Sequence, residues 1–302
     1  MLVDEIVKFC DSQYEKFADC CGKGVCNHPS GQCSGSCYNC LYHIHYPEIA
    51  PRNSKKLYDC PKMLCHYVCQ YSYLYVTELL CALREENNFL KKYPYFHALS
   101  LGCGGCADLM ALECFCHEEH KGAQISYVGI DVNALWTSIH EEIKDYCQKH
   151  NMCFQTKYND VFEYFQGRCN DRPNIIVISY LISYLYNTQQ IEKIDALVGD
   201  IIEKVIRCKD EETPILLIVN DVNSNKRGRD YFEHFEKKIS QTGLSIIKKY
   251  RYFDKSTLND FQKIGEPYPI NECFFDIPRD IQEQYHAQTG VNATIQLLLE
   301  VN

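Results

Sequence analysis

Residues 96–112 read FHALSLGCGGCADLMAL. The apolar run Ala98, Leu99, Leu101 leads into a turn built from Gly102, Gly104 and Gly105, and helix-forming residues follow at once. A strand that feeds a tight turn and then a helix N-terminus forms a cradle for a polar ligand. Glycine lets the backbone approach closely, and the free N–H groups of the helix face the turn. Further on, Tyr127-Val128-Gly129-Ile130-Asp131 ends a second strand on a carboxylate, the group needed to hold a pair of ribose hydroxyls.

Ser100-Leu101-Gly102-Cys103-Gly104-Gly105-Cys106, followed by the strand that ends at Asp131, resembles the first two motifs of the class I S-adenosylmethionine-dependent methyltransferases. Two positions depart from that pattern. Ser100 stands where an acid is usual, and Cys106 stands where a third glycine is usual, with Gly105 and Asp108 as the available compensation. A nicotinamide-dinucleotide site fits less well, because that pattern is G-x-G-x-x-G. The resemblance implies a cofactor site made of Leu101, Gly102, Cys103, Gly104, Gly105, Asp131, Val132, Asp160, Val161 and Ser179. Asp160 would meet the adenine amino group, although as the residue that opens VFEYF it also reads as a helix N-cap.

Around this core the fold expected is an α/β, doubly wound, seven-stranded sheet of methyltransferase type. Its strands are read at 96–101, 126–131, 152–157, 174–180, 214–221, 244–253 and 294–301, with helices at 106–117, 133–150, 189–207 and 230–241. NIIVISY, at 174–180, is continuously apolar, as a parallel strand buried on both faces should be. It runs into Ser179-Tyr180-Leu181-Ile182-Ser183-Tyr184. The resemblance puts this stretch opposite the transferring methyl, with Ser179, Tyr180 and Tyr184 as catalytic, positioning groups. It matches neither the Asn-Pro-Pro-Tyr nor the Pro-Cys type of nucleic-acid methyltransferase. Residues 254–293, between the last two strands, form an insertion far longer than a hairpin needs.

Residues 20–46, CCGKGVCNHPSGQCSGSCYNCLYHIHY, lack hydrophobic periodicity, and a metal is the natural organiser of such a segment. Tetrahedral zinc takes four sulfur or nitrogen ligands, often in close pairs. Cys26, Cys33, Cys37 and Cys40 are the favoured set, with Cys21 or Cys20 exchanging in and His28, His43 and His45 as spare ligands. Cys33-x3-Cys37-x2-Cys40 also has the cysteine spacing of radical S-adenosylmethionine enzymes, which keeps an iron–sulfur cluster open as the alternative to zinc. The domain reading is therefore a Cys/His-rich metal-binding module at 1–56, a covering helix within 57–94, and the methyltransferase domain at 95–302. Residues 1–19 read as an amphipathic helix and 47–56 as a linker. The 61–92 helix would place Tyr71 and Tyr75 as lids, while its Cys65 and Cys69 read as buried small hydrophobes.

With 46% hydrophobic and 24% charged residues the chain has the make-up of a soluble globular protein. No apolar run of about 18 residues is present, so no membrane partner is expected. MLVDEIVKFCDSQ is not an export signal, and 20 cysteines then suit a reducing cytoplasm as thiols or metal ligands. The net charge of −9 argues against broad attraction to a phosphate backbone. The function expected is methyl transfer from S-adenosylmethionine to a heteroatom, the alternative being a metal-stabilised binding or assembly protein on a degenerate methyltransferase fold. The Cys-rich appendage suggests a macromolecular acceptor, RNA slightly ahead of protein, with Lys226, Arg227 and Arg229 as phosphate contacts.

Overall fold

A computed structural model describes residues 1–17, 33–52, 54, 57–167, 171–209, 213–224, 227–255 and 261–302. Eight strands form one sheet: β1 Tyr95–Leu101, β2 Gln124–Ile130, β3 Cys153–Lys157, β4 Ile175–Ser179, β5 Ile215–Val222, β6 Ile246–Tyr252, β7 Glu266–Pro267 and β8 Thr294–Val301. Their order is β3-β2-β1-β4-β5-β8-β6-β7. The first five strands are parallel, and β8 runs antiparallel between β5 and β6. Seven of these strands lie where the sequence places them. The eighth, β7, is a two-residue strand inside the 254–293 insertion that pairs with β6, so the count of seven is corrected to eight. Chain order reverses direction between β1 and β4, which opens a crevice beyond their C-terminal ends.

The helices are α1 Leu2–Lys16, α2 Cys37–His45, α3 Pro61–Glu85, α4 Asn87–Leu90, α5 Ala107–Glu119, α6 Thr137–Lys149, α7 Val161–Tyr164, α8 Leu181–Asn187, α9 Ile194–Ile201, α10 Phe232–Ser240 and α11 Arg279–Tyr285. A π-helical turn, Ile202–Ile206, continues α9. Alternation along β1 sends Phe96 and Ala98 into one apolar core with α1, α3, α5 and α6. Leu99 and Leu101 go into the opposite core with α8, α9 and α10. The N-terminal helix joins the first of these cores through Leu2, Val3, Ile6, Val7 and Cys10.

The 61–92 reading as a covering helix is changed in two respects. α3 ends at Glu85, and from Lys62 to Leu83 every residue except Tyr67 is buried. A helix buried on nearly every side is a central element of the fold, and Tyr67 is its residue that reaches the cleft described below. Cys65 and Cys69 pack in the core as small hydrophobes, with Cys69 Sγ donating to the Val7 carbonyl.

Among the buried polar side chains of α3, Glu78 is the carboxyl and is fully buried. Its Oε2 accepts from Tyr180 Oη at 2.8 Å and Asn220 Nδ2 at 3.2 Å, and its Oε1 accepts from Thr294 Oγ1 at 2.7 Å. Gln296 Nε2 donates to the Glu78 carbonyl and to Asn220 Oδ1. One carboxyl thus ties α3 to β4's end, β5 and β8. Burial raises its pKa to about 7 although these donors act to lower it.

Two outcomes follow for Glu78. Glu78→Leu strands three buried donors and should cost about 2–4 kcal/mol in denaturant unfolding. Because the folded pKa is raised, the folded state holds the proton longer than the unfolded chain. Wild-type stability, measured relative to Glu78→Gln, should therefore fall as pH rises from about 4.5 to about 7 and level off above that. A flat difference across that window would contradict the assignment.

Candidate functional site

At the C-terminal edge of β1, β2 and β4 lies a cleft of about 410 Å³. The β1–α5 loop forms its floor, with Gly102 and Gly104 at φ +75° and +47°, backbone that side-chain-bearing residues rarely adopt. Gly102, Gly104, Asp131, Val132, Asp160, Val161, Ser179, Tyr180 and Tyr184 all line the cleft, so nine of the expected residues from four separate strand ends converge. Leu101, Cys103 and Gly105 are not among its lining. Leu101 is in the core beneath the sheet, and Cys103 Sγ packs where a Cβ on Gly129 would stand. At Gly105 a Cβ would point at Val68 of α3 and Trp136.

Asp131 organises the cleft. Its Oδ2 accepts from the Gly104 N–H at 2.8 Å and its Oδ1 from the Asn133 N–H at 2.8 Å. The carboxylate is thereby clipped to the glycine loop, and each oxygen keeps a second lone pair. Burial raises its pKa while these backbone donors oppose the shift. Asn133 in turn accepts from the Leu135 N–H and donates to the Tyr58 carbonyl at 2.6 Å, drawing residues 57–59 across the cleft mouth. Asp160 caps α7 through the Phe162 N–H at 2.9 Å, so the N-cap role holds beside its place in the cleft.

At the β4 end, Ser179 Oγ accepts from Asn220 Nδ2 at 3.1 Å. Tyr180 sits in left-handed backbone at φ 55°, held by its N–H to the Asn220 carbonyl and by the bond from its hydroxyl to Glu78. The next turn is α8, whose first N–H groups at Ile182 and Ser183 bond Asp221 Oδ2. Burial raises the Asp221 carboxyl to about 6.

Residues missed from the sequence include Tyr58, Asp59, Tyr67, Asn133, Trp136 and Phe162. Asn133 and Trp136 directly follow the second-strand acid, and that proximity was the available signal. Tyr58 and Asp59 follow a segment that reads as linker and carry no pattern. The expected lids are displaced by a turn: Tyr67 lines the cleft, whereas Tyr71 and Tyr75 line a neighbouring chamber. Ser100 and Asp108 are buried away from the cleft, where Asp108 Oδ1 accepts from Tyr127 Oη at 2.8 Å. Asp108 therefore does not replace the acid missing at position 100.

Cys106 explains the missing third glycine. It takes φ 59°, the left-handed region a glycine would occupy without cost, and it is fully buried at the start of α5. The donor atoms of Cys103, Cys106 and His140 lie within 4.8 Å of one another, the one such Cys/His/Asp/Glu group among the described residues. Burial alone would raise the Cys106 thiol. Its bond to Cys103 and the His140 charge bring it well below its ordinary value, and Cys106 raises His140 in return. His140 Nε2 also bonds the Gly104 carbonyl at 2.8 Å, bracing the loop from beneath.

Of the Cys-rich set, Cys33 and Cys40 bring their sulfurs to 3.9 Å, and Cys37 is buried in the first turn of α2. Cys20, Cys21, Cys26 and His28 lie outside the described residues, as does Lys226. His43 Nδ1 bonds Ser34 Oγ, and His45 bonds Tyr58 and Tyr71. Arg229 is buried and bonds Asn223, so it cannot be a solvent-facing phosphate contact. Arg227 pairs with Glu48 at 2.6 Å. Among the described residues no helix is long and apolar enough to cross a membrane.

No family model matches the chain, and no curated protein matches its sequence. Solved structures do resemble it. A putative class I S-adenosylmethionine-dependent methyltransferase from Listeria monocytogenes aligns at a TM-score of 0.47 and 9% identity, over 100% of this chain and 88% of that one. The plantazolicin methyltransferase BpumL in complex with SAH aligns at 0.42 and 11%, over 97% and 99%. Magnesium protoporphyrin IX methyltransferase from Synechocystis, with bound SAM, aligns at 0.43 and 10%, over 88% and 90%. Likenesses this distant carry no weight for activity, which must be read from the cleft itself.

Left-handed backbone at Cys106 predicts an order of substitutions. Cys106→Gly should fold with a melting temperature near wild type, since relief of strain offsets the lost sulfur contacts. Cys106→Val should lose about 2 kcal/mol or more, because a β-branched residue is an outlier there. Equal stability of the two variants, measured by thermal and denaturant unfolding, would contradict this.

Proposed function

We propose that this protein transfers a methyl group from S-adenosylmethionine to a heteroatom of an acceptor. The observation that carries the proposal is Asp131, a carboxylate that lines the cleft while clipped to the Gly104 N–H. A preorganised acid at the end of β2, beside loop glycines with no side chain to fill the cleft, suits a ribose diol. Val161, Phe162 and Leu181 offer apolar surface for a purine, and Asp160 stands beside them for its amino group.

The bound cofactor would supply a methyl already activated on a sulfonium. The chain's task is alignment and exclusion of water. Ser179, Tyr180 and Tyr184 lie at the end of β4, where the methyl would face, and the bond to Glu78 fixes Tyr180. No residue of the cleft is assigned as general base, and none is needed for an acceptor that reaches the site deprotonated.

One observation favours the second reading, a binding or assembly protein on a degenerate fold. Position 100 is a buried Ser whose side chain bonds Asp108 of α5, so the methionine end lacks the usual acid there. Asp59 lines the same cleft and could take that place. In either reading we infer a zinc ion on Cys33, Cys37 and Cys40 with Cys26 or Cys21, and the 3.9 Å approach of Cys33 to Cys40 supports it.

Calorimetric titration with S-adenosylhomocysteine should show binding that Asp131→Ala weakens by about 1.5–3 kcal/mol, the loss of hydrogen bonds to a charged group. No binding by wild type would favour the degenerate-fold reading, and an unweakened variant would remove Asp131 from the site. Elemental analysis should find about one zinc per chain, lost in Cys37→Ser/Cys40→Ser. A brown protein would replace zinc by an iron–sulfur cluster, and retention of zinc by that variant would move the metal to Cys103, Cys106 and His140.

A further inference from the structure

Next to the cleft lies a second, larger chamber of about 640 Å³, the size of a site for a small organic ligand. The two cavities share Tyr58, Tyr67, Tyr180 and Tyr184, so a ligand in one meets a ligand in the other across a wall of phenol rings. Three elements far apart in sequence build the chamber. α2 and its C-cap contribute Tyr38, Tyr42 and Tyr46 at helical spacing, each 41–42% exposed. α3 contributes Tyr71 and Tyr75, whose rings lie 5.4 Å apart and 8° from parallel. The insertion closes the far side with residues 287–293.

Charge narrows the ligand class. A cage of aromatic rings can hold a quaternary ammonium, but such cages gain from nearby carboxylates. Here no Asp or Glu lines the chamber among the described residues, and the charged groups that do are Arg227 and Lys255. Arg227 is shared with Glu48, whereas Lys255 has no carboxylate partner among the described residues. His45, on the wall, is held neutral by burial, which lowers its pKa to about 4. In a chain of net charge −9, this is a locally positive, ring-lined space.

We propose that the chamber is the acceptor site and that the acceptor is a small, flat, hydroxylated aromatic acid. Its ring packs on the tyrosines and its carboxylate meets Lys255. This rests on the methyl-transfer reading above. In the transfer, the acceptor hydroxyl oxygen forms the new O–CH3 bond as the carbon–sulfur bond breaks, with the bonding pair remaining on sulfur. The hydroxyl proton leaves to water at the chamber mouth, and the products are the methyl ether, S-adenosylhomocysteine and one proton.

The test is calorimetry on the full chain with 4-hydroxybenzoate, 3,4-dihydroxybenzoate, 4-hydroxycinnamate and 3,4-dihydroxycinnamate. Phenyltrimethylammonium and a single-stranded RNA oligonucleotide serve as rivals, and S-adenosylhomocysteine is titrated separately. At least one acid should bind, more tightly than the ammonium by tenfold or more, and Lys255→Glu should weaken it at least tenfold. Lys255 is exposed, so this variant keeps the fold, whereas Tyr71→Ala tests the ring wall at greater risk to folding. Failure of every acid, tighter binding of the ammonium, binding of the RNA alone, or an unchanged Lys255→Glu would each overturn the proposal. If S-adenosylhomocysteine binds and every acid fails, only the acceptor assignment falls. If acids bind and S-adenosylhomocysteine does not, the methyl-transfer reading falls and the acceptor role goes with it.

Discussion

Glu78 is a carboxyl with no exposure to water, set in the middle of a helix that is itself buried on nearly every side. Such a group is tolerated only when its lone pairs are satisfied, and here Tyr180, Asn220 and Thr294 do so. The consequence reaches both cavities. Tyr180 stands between cleft and chamber in left-handed backbone, a conformation that persists because its surroundings fix it. Asn220, turned by the same network, also bonds Ser179. The strand end that would face the methyl is therefore positioned from behind by one residue of α3.

Much of this architecture was legible in the chain. Seven strands fall within about two residues of their expected ends, because parallel strands buried on both faces read as unbroken apolar runs. Asp131 was legible because it closes such a run beside a glycine turn. The eighth strand was not, since two residues inside a long insertion carry no periodicity. Nor was the depth of α3. Its tyrosines and cysteines suggest a one-sided helix, and only the packing of α1, α2, α5 and α11 around it shows that every side is used. Ser100 and Cys106 read as defects of a motif. Ser100 is buried and bonds Asp108 of α5, and Cys106 keeps the glycine-like backbone while adding a buried thiol that His140 faces.

The Cys-rich segment gains a purpose from where it ends. It leads into α2, and α2 presents Tyr38, Tyr42 and Tyr46 to the chamber while its other side packs on α3. A short helix of this kind has little stability alone. Anchoring Cys37 and Cys40 at its first turn would set those rings in place. The basic loop expected to supply phosphate contacts is spent elsewhere in part, for Arg229 is buried and Arg227 holds Glu48.

In the proposed reaction a nucleoside cofactor lies on Asp131 with its reacting end directed past Tyr180 into the tyrosine chamber. A crystal structure of the protein grown with S-adenosylhomocysteine tests it most directly. The ribose hydroxyls should lie on the Asp131 carboxylate, the adenine near Asp160 and Phe162, and the sulfur should face the wall shared by the two cavities. A cleft without ligand at saturating concentration, or a sulfur turned away from Tyr180, would contradict it.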